Sequence, residues 1–511
     1  MTRESPSRFS EKTLLIGSVL IAGLCSIVYE LLISTTASYF LGDSVKQFSI
    51  TIGVYMAAMG LGSFISRMFE KELLVKFVIV EILLGLIGGL SVPLLYAAFA
   101  YTSLFYPAVL ASIIAIGTLT GLEVPLLTRV LERDDELKFN LSNVLSMDYL
   151  GALLATLAFP FLLVPFVGVF RSALLAGLIN MSIGFVVLWA LAGAVNIERR
   201  RVLRLASVGV AVLLGVTLLV SGPLLNSWSE SIYEDRVVYR EQTPYQNIVV
   251  TRYRNDLRLY LEGNLQFSAI DEYRYHEPLI HIPAGLVPGE LNVLMLGGGD
   301  GLGARELLKH PRLNSLTIVD LDPAIFRLAK ENPNLRELNR RSLFDPRVET
   351  RSEDAYVFLQ EQQRRYNLII ADLPDPKNVS LARLYSREFY RLVARHLSAD
   401  GVFVTQATSP FFARKAFWSI NDTLKAAGFA HVLPYHSYVP SFGDWGFVMA
   451  ANRALRPEDV EVDVPTRYLH SAAIEKLFVF EKDLSRQSAA VSTIDRPRTL
   501  EFYLEGWEYW N

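Results

Sequence analysis

Four aspartates, Asp300, Asp320, Asp354 and Asp372, stand where apolar runs give way to turns. Asp300 lies in the turn Gly297, Gly298, Gly299, Asp300, Gly301, between the run Val293 to Leu296 and a helix opening over Leu302 to Lys309. A strand, a glycine turn and a helix start bring a nucleotide close to backbone N–H groups. Asp320 ends the second run, Leu316 to Val319, at roughly the 20-residue spacing where an acid meets a ribose hydroxyl pair. Asp354 precedes a helical stretch, Ala355 to Gln363, and Asp372 ends the strand Leu368 to Ala371. Acids at successive strand ends mark one edge of a parallel sheet, the edge where ligands of such sheets bind. Asp322 and Pro323 form an N-cap and N1 pair. The alternative for Asp322 and Asp354 is that each is a helix cap and nothing more.

The elements that position these acids occupy only part of the chain. The sequence has 511 residues, room for two or more domains. It is 51% hydrophobic, with the apolar excess confined to the first 220 or so residues. The mean hydropathy of +0.29 is too high for a purely soluble protein. A net charge of -3, without a basic stripe of interleaved aromatics, predicts no nucleic-acid partner. Cys25 is the single cysteine, which rules out a disulfide framework within the chain, and the seven His lack ligand spacing. No metal is expected.

Apolar runs near Leu14 to Ser34, Phe48 to Ser66, Leu73 to Phe99, Leu104 to Leu127, Ser146 to Val167, Ser172 to Ala194 and Leu205 to Val220 each approach the ~20 residues a bilayer core requires. Seven transmembrane helices are expected, the first too long for a cleavable signal. Small residues recur within them (Gly53, Gly60, Gly62; Gly85, Gly88, Gly89), allowing close helix approach. If the helices alternate, Arg3, Arg8, Lys12, Arg67, Lys71, Lys76, Arg129, Arg133, Lys138, Arg199, Arg200, Arg201 and Arg204 share one side, against Lys46 and Arg171 on the other. The positive-inside rule then puts the N-terminus in the cytoplasm of a cell (inner) membrane protein, and seven spans deliver the polar half to the outer face. A nucleotide-like ligand is normally made inside, so this conflicts with the helix count unless the polar half works outside. Glu30, Glu81, Glu123, Asp148 and Arg171 fall within the apolar runs. They fit either structural pairing or a cation or polyamine path.

From Ser229 the chain turns polar and β-rich. Gln246 to Tyr253 and Arg258 to Leu261, joined through Asn255 and Asp256, predict a hairpin. The segments YQNI (Tyr245 to Ile248), LEGNLQ, DEYRYHE, GGGDG, VDLD (Val319 to Asp322), EDA (Glu353 to Ala355) and DLPDP (Asp372 to Pro376) together resemble the spermidine synthase family of polyamine aminopropyltransferases, over about Arg236 to Ala450. With the apolar runs, the expected fold is an N-terminal all-α transmembrane bundle of about seven helices, followed by the C-terminal α/β, methyltransferase-like (Rossmann-like) domain behind a small β-layer that the resemblance implies. The expected boundaries are 1–222, 229–290, 291–450 and a C-terminal extension, 451–511.

The resemblance implies transfer of the aminopropyl group of decarboxylated S-adenosylmethionine, a co-substrate, to putrescine or a related diamine, with no prosthetic group and a homodimeric assembly. Such an amine has an ordinary pKa of about 10.4, so a group must accept a proton and aim the lone pair. Asp372 matches the catalytic acid, as general base and orienter. Asp375 matches a substrate-holding acid, and Asp300 the acid facing the donor's aminopropyl ammonium. Asp320 stands where the family has Glu for the ribose, while Asp354 with Ala355 matches the adenine-contacting pair. Gly297, Gly299 and Gly301 build the donor turn. Gln246, Gln266, Tyr275 and His276 match substrate-gripping positions, although His276 and Tyr275 also fit packing roles and Gln266 a strand end.

The sequence departs from the family after Asp372, where Leu373 and Pro374 replace a hydroxyl residue, and at Phe442, which replaces the usual substrate tyrosine in a shortened loop. The acceptor pocket is therefore expected to differ. An amphipathic stretch, Tyr468 to Phe480, and the tail LEFYLEGWEYWN follow, the tail expected to pack on the catalytic domain or on the membrane interface. An S-adenosylmethionine methyltransferase and a non-catalytic polyamine transporter or sensor are the alternatives. Acid-rich walls count against the first, because ordinary S-adenosylmethionine carries a carboxylate they would repel.

Overall fold

The computed structural model describes residues 8–41, 44–131, 137–190, 195–233, 235–508 and 510, in two compact units, Met1–Val237 and Val238–Asn511. Arg3, Arg133, Ala194, Tyr509 and Asn511, used above, lie outside the described residues.

The first unit is helical. Its long helices are α1 (Arg8–Leu41), α2 (Ser44–Ser66), α3 (Leu73–Tyr101), α4 (Phe105–Leu131), α5 (Leu137–Ala158), α6 (Val169–Ala190) and α7 (Ile197–Leu219), with a shorter α8 (Ser221–Tyr233). Among the described residues, seven helices are long and apolar enough to cross a membrane. Pro160 and Pro165 fall in a π-helical continuation of α5, Phe159–Val167, where a regular i→i−4 ladder cannot be kept. Helix α7 begins earlier than the apolar run predicts, so Arg199 to Arg204 are helical rather than loop residues. Asn196 caps this start by accepting from the Glu198 N–H at 3.1 Å, and Arg199 pairs with Glu72.

Packing in this unit depends on small residues. A Cβ built on Gly62 would lie 2.0 Å from the Thr118 carbonyl oxygen, and one on Gly121 would lie 2.1 Å from that of Met59, so α2 and α4 touch backbone to backbone. Glu81 is buried and accepts from Asn180 Nδ2 at 3.0 Å. Arg171 donates to Ser221 Oγ at 3.0 Å.

The second unit opens with a four-stranded sheet of β1 (Arg236–Gln242), β2 (Asn247–Tyr253), β3 (Asp256–Leu261) and β4 (Asn264–Ser268). The predicted hairpin forms with Tyr253 opposite Asp256. Helix α9 (Tyr273–Leu286) leads to β5 (Leu291–Gly297), α10 (Leu302–Leu307), β6 (Leu313–Asp320), α11 (Pro323–Glu331), α12 (Pro333–Leu338), β7 (Val348–Ser352), α13 (Ala355–Glu361) and β8 (Tyr366–Asp372). After these come α14 (Val379–Ala382), α15 (Arg387–His396), β9 (Leu397–Gln406), α16 (Arg414–Ala427), β10 (His431–Val439), β11 (Gly443–Ala451), α17 (Ser471–Leu477) and α18 (Arg498–Glu508).

The large sheet runs β10-β11-β9-β8-β5-β6-β7. Strands β9, β8, β5, β6 and β7 are parallel, and the β10–β11 hairpin closes one side antiparallel. Strand β5 is apolar from Val293 to Leu296 because both its faces are covered there: Val293 and Met295 join one core cluster, Leu294 and Leu296 the other. The Tyr468 to Phe480 stretch is helical only over α17, where Ile474 and Leu477 are buried.

Candidate active site at the carboxyl edge of the sheet

Because β8, β5, β6 and β7 are neighbours in that order, Asp372, Asp300, Asp320 and Asp354 follow one another along a single edge. The turn after β5 makes this crowding possible. Gly297 has φ +83°, and a Cβ there would sit 1.9 Å from the Asp372 carbonyl oxygen. At Gly299 a Cβ would lie 2.7 Å from Asp320 Oδ2, to which the Gly299 N–H donates at 3.1 Å. Gly301 takes φ +81° at the start of α10, and its carbonyl accepts from Ser342 Oγ at 2.6 Å.

Each acid has defined partners. Asp300 Oδ1 accepts from the Leu302 N–H at 2.8 Å, which aims the carboxylate back across α10's first turn. Asp320 Oδ1 accepts from the Asp322 N–H at 3.2 Å. Asp354 caps α13 through the Tyr356 and Val357 N–H groups at 2.9 and 3.2 Å and also pairs with Arg383, while Ala355 is buried beneath it. The cap reading is therefore correct for Asp354 without removing it from the edge. Asp322 likewise caps α11 through the Ala324 N–H at 3.0 Å.

On the other side of Asp300, Tyr275 Oη donates to Asp372 Oδ1 at 2.6 Å. His276 Nδ1 lies 2.8 Å from Glu272 Oε2, and Arg305 donates to both oxygens of Glu272 at 2.9 Å. Burial alone would lower His276, but the Glu272 hydrogen bond and charge outweigh it and push His276 up to about 9. A cationic imidazole thus sits among the acids. Asp300 is pushed up to about 6 by burial and the Asp372 charge, with His276 opposing. Burial also pushes Asp320 to about 6, against the N–H groups of Asp322 and Gly299.

Asp375 is held by residues of other elements. Gln406 Nε2 at the end of β9 donates to Oδ1 at 3.2 Å and Thr408 Oγ1 to Oδ2 at 3.4 Å. Burial pushes Asp375 up to about 6, with the Gln406 hydrogen bond and the Lys377 charge opposing.

Two predicted positions behave differently from the rest. Gln246 donates to Asp322 Oδ2 at 3.1 Å, beside Thr243 Oγ1 at 2.7 Å, which places it on the Asp320 side. Gln266 turns back on its own strand, donating to the Asn264 and Leu265 carbonyls at 3.2 and 3.4 Å. Sequence reasoning missed Glu272, Arg305, Gln406 and Thr408. Gln406 had a signal, since VFVTQAT is one more apolar run ending in polar residues, and β9 ends on the same edge.

The tail packs within this unit. Trp507 stacks on Phe412 with ring centroids 5.0 Å apart, and a Cβ on Gly506 would meet Phe412 O and Ala413 Cα at 2.8 Å.

Residues 272–459 match the spermine/spermidine synthase domain. A polyamine aminopropyltransferase of Leptospira interrogans is 41% identical over 503 residues, covering 97% of this chain and 99% of that one. One of Oceanobacillus iheyensis is 39% identical, covering 96% of each. The spermidine synthase structure from Thermotoga maritima aligns with 49% of this chain and 87% of its own at 25% identity, with a TM-score of 0.45. Since the curated matches run through the apolar half as well as the acid-edged sheet, the chain belongs to the polyamine aminopropyltransferase (spermidine synthase) family.

Proposed function

We propose that the second unit moves the aminopropyl group of decarboxylated S-adenosylmethionine to putrescine or a related diamine. The observation that carries this reading is the row of acids in which Asp372, fixed by Tyr275, stands between Asp300 and Asp375. A doubly cationic donor and a cationic acceptor suit such a row. The carboxylate of intact S-adenosylmethionine does not, which disfavours methyl transfer.

In this reading the glycine turn and Asp320 hold the ribose side, and Asp354 with Ala355 the adenine side. Arg383 must share or release Asp354 when the base arrives. Asp300 faces the donor's ammonium. The amine lone pair attacks the carbon bound to the sulfonium sulfur; a C–N bond forms and the C–S bond breaks. Its electron pair returns to sulfur, giving methylthioadenosine, and the surplus amine proton goes to Asp372. Most of the acceleration comes from aligning nitrogen and carbon. His276, cationic and bound to Glu272, offsets part of the negative charge rather than taking that proton. Gln246 supports the donor side through Asp322, and Gln266 reaches ligand only by leaving its strand-end bonds.

Turnover of the detergent-purified chain with decarboxylated or intact donor and a panel of diamines, read by mass of the products beside Asp372→Asn, tests this. Aminopropylated amine from the decarboxylated donor alone, lost in the variant, is expected. Methylated product would sink the reading.

The seven apolar spans fit a bilayer-embedded first unit. The basic residues on one side support a cytoplasmic N-terminus and an outward-facing second unit, which a C-terminal reporter accessible only from outside would test. A homodimer is the assembly the family suggests, checked by light scattering in detergent.

A further inference from the structure

We propose that Glu81 of α3 and Asn180 of α6 form a binding site for a primary ammonium group within the helical bundle. The site lies in the first unit and takes no part in the proposed reaction.

The bundle satisfies its buried polar groups where they serve packing. Tyr55 Oη of α2 lies 3.1 Å from Ser26 Oγ of α1 and 3.2 Å from Thr120 Oγ1 of α4, and Cys25 Sγ donates to the Ala176 carbonyl at 3.7 Å. Glu81 and Asn180 are different. Both are buried, at 0% and 1% exposure, and the Asn180 amide donates to Glu81 Oε2 at 3.0 Å. The second oxygen of each, Glu81 Oε1 and Asn180 Oδ1, has no hydrogen-bond partner among the described residues. The shared hydrogen bond holds these two oxygens near each other, because each sits on the same planar group as a bonded atom. Tyr29 Oη is unpartnered as well. A Cβ on Gly88, two turns from Glu81 and on the same face of α3, would lie 2.5 Å from Tyr29 Cζ, which puts the phenol against that face.

The atoms left over are acceptors, and the ligand that suits them is a charged donor. A buried carboxylate whose partner is a neutral amide is expensive in a membrane-spanning helix, and ionisable groups in such positions go with a functional partner. A primary ammonium brings the opposite charge and three N–H donors, enough for Glu81 Oε1 and Asn180 Oδ1 with one to spare for the phenol oxygen. Gly184, one turn from Asn180, keeps α6 close, since a Cβ there would lie 3.2 Å from Glu81 Cβ. Entry to so closed a site requires a helix to move. Pro93 within α3 leaves the Gly89 carbonyl without its i→i−4 donor, a place where that helix can bend.

Equilibrium dialysis of the full chain in detergent with labelled methylammonium, and separately with labelled spermidine, tests this. The expected result is an ammonium site that Glu81→Gln and Asn180→Leu each weaken by roughly tenfold or more, while the turnover constants of the second unit stay within about twofold. Sodium chloride at equal concentration should not displace the label. Monodisperse elution identifies folded variants; should Glu81→Gln not fold, Glu81→Asp and Asn180→Leu decide. A wild-type chain that binds no methylammonium overturns the inference, as does unaltered binding in the folded variants. Displacement by sodium as effective as by methylammonium also overturns it, because it marks an inorganic-cation site. Loss of binding together with a raised acceptor KM overturns it too, since the site lost is then that of the second unit. Failure to turn over any diamine removes the proposed reaction and leaves the ammonium site standing on its own binding data.

Discussion

Tyr275 Oη and Asp372 Oδ1 are 2.6 Å apart, which ties the first turn of α9 to the end of β8. The bond fixes one carboxylate oxygen and leaves Oδ2 toward the glycine turn, 3.2 Å from where a Cβ on Gly298 would stand. A carboxylate so oriented can accept a proton from an amine delivered over that turn.

Asp372→Asn is expected to lower kcat by about 10²- to 10⁴-fold, the range for loss of a general base, while methylthioadenosine still binds. Tyr275→Phe keeps the base but frees its orientation, with an expected loss of roughly tenfold or more. Stopped assays with calorimetric binding of methylthioadenosine separate the two effects; an Asp372→Asn loss below tenfold removes the base assignment.

Asp300 and Asp375 both titrate near 6 because burial disfavours their charge. The cationic ligands bind the ionised forms, so KM stays flat above about pH 7 and rises as the pH falls through 6. Steady-state constants between pH 5 and 8 check this. In Asp375→Asn the acidic limb of the acceptor KM should disappear while that of the donor persists.

His276 is raised to about 9 by Glu272 despite its burial. A group whose pKa is higher folded than unfolded contributes stability that is complete below about 6.5 and is lost as the pH rises through 9. The contribution is at most roughly 3 kcal/mol. Thermal unfolding between pH 6 and 10 should show this decline in the wild type and a flatter profile in His276→Gln; matching profiles refute the coupling.

Gly299→Ala puts a methyl 2.7 Å from Asp320 Oδ2 and must displace that carboxylate. The expected result is a donor KM raised about tenfold or more with little change in the acceptor KM. A donor KM within twofold of wild type would show that Asp320 does not hold the donor.

In the helical unit, Gly62→Val drives side-chain atoms into the Thr118 carbonyl, whereas a Cβ on Gly60 meets nothing within 4 Å. The first substitution should cost about 1–3 kcal/mol, as overpacking does, and the second close to nothing. Melting temperatures of the two variants in detergent decide it; equal values contradict the close α2–α4 contact.

The sequence by itself determined the seven apolar spans, the strand–turn–helix at Gly297 to Gly301 and the acids at the ends of β5, β6 and β8, because these are local. Span length, glycine tolerance and the change from apolar to acidic at a strand end can be read in a window of a few residues. It was less informative where length and charge compete, as at α7, whose basic first turns belong to the helix through a cap at Asn196. The tertiary structure alone decided which groups meet. The strand order put Asp372 beside Asp300, and Glu272 made His276 a cation. The return of α18 stacked Trp507 on Phe412. Such contacts depend on packing between elements far apart in the chain, and no local spacing encodes them.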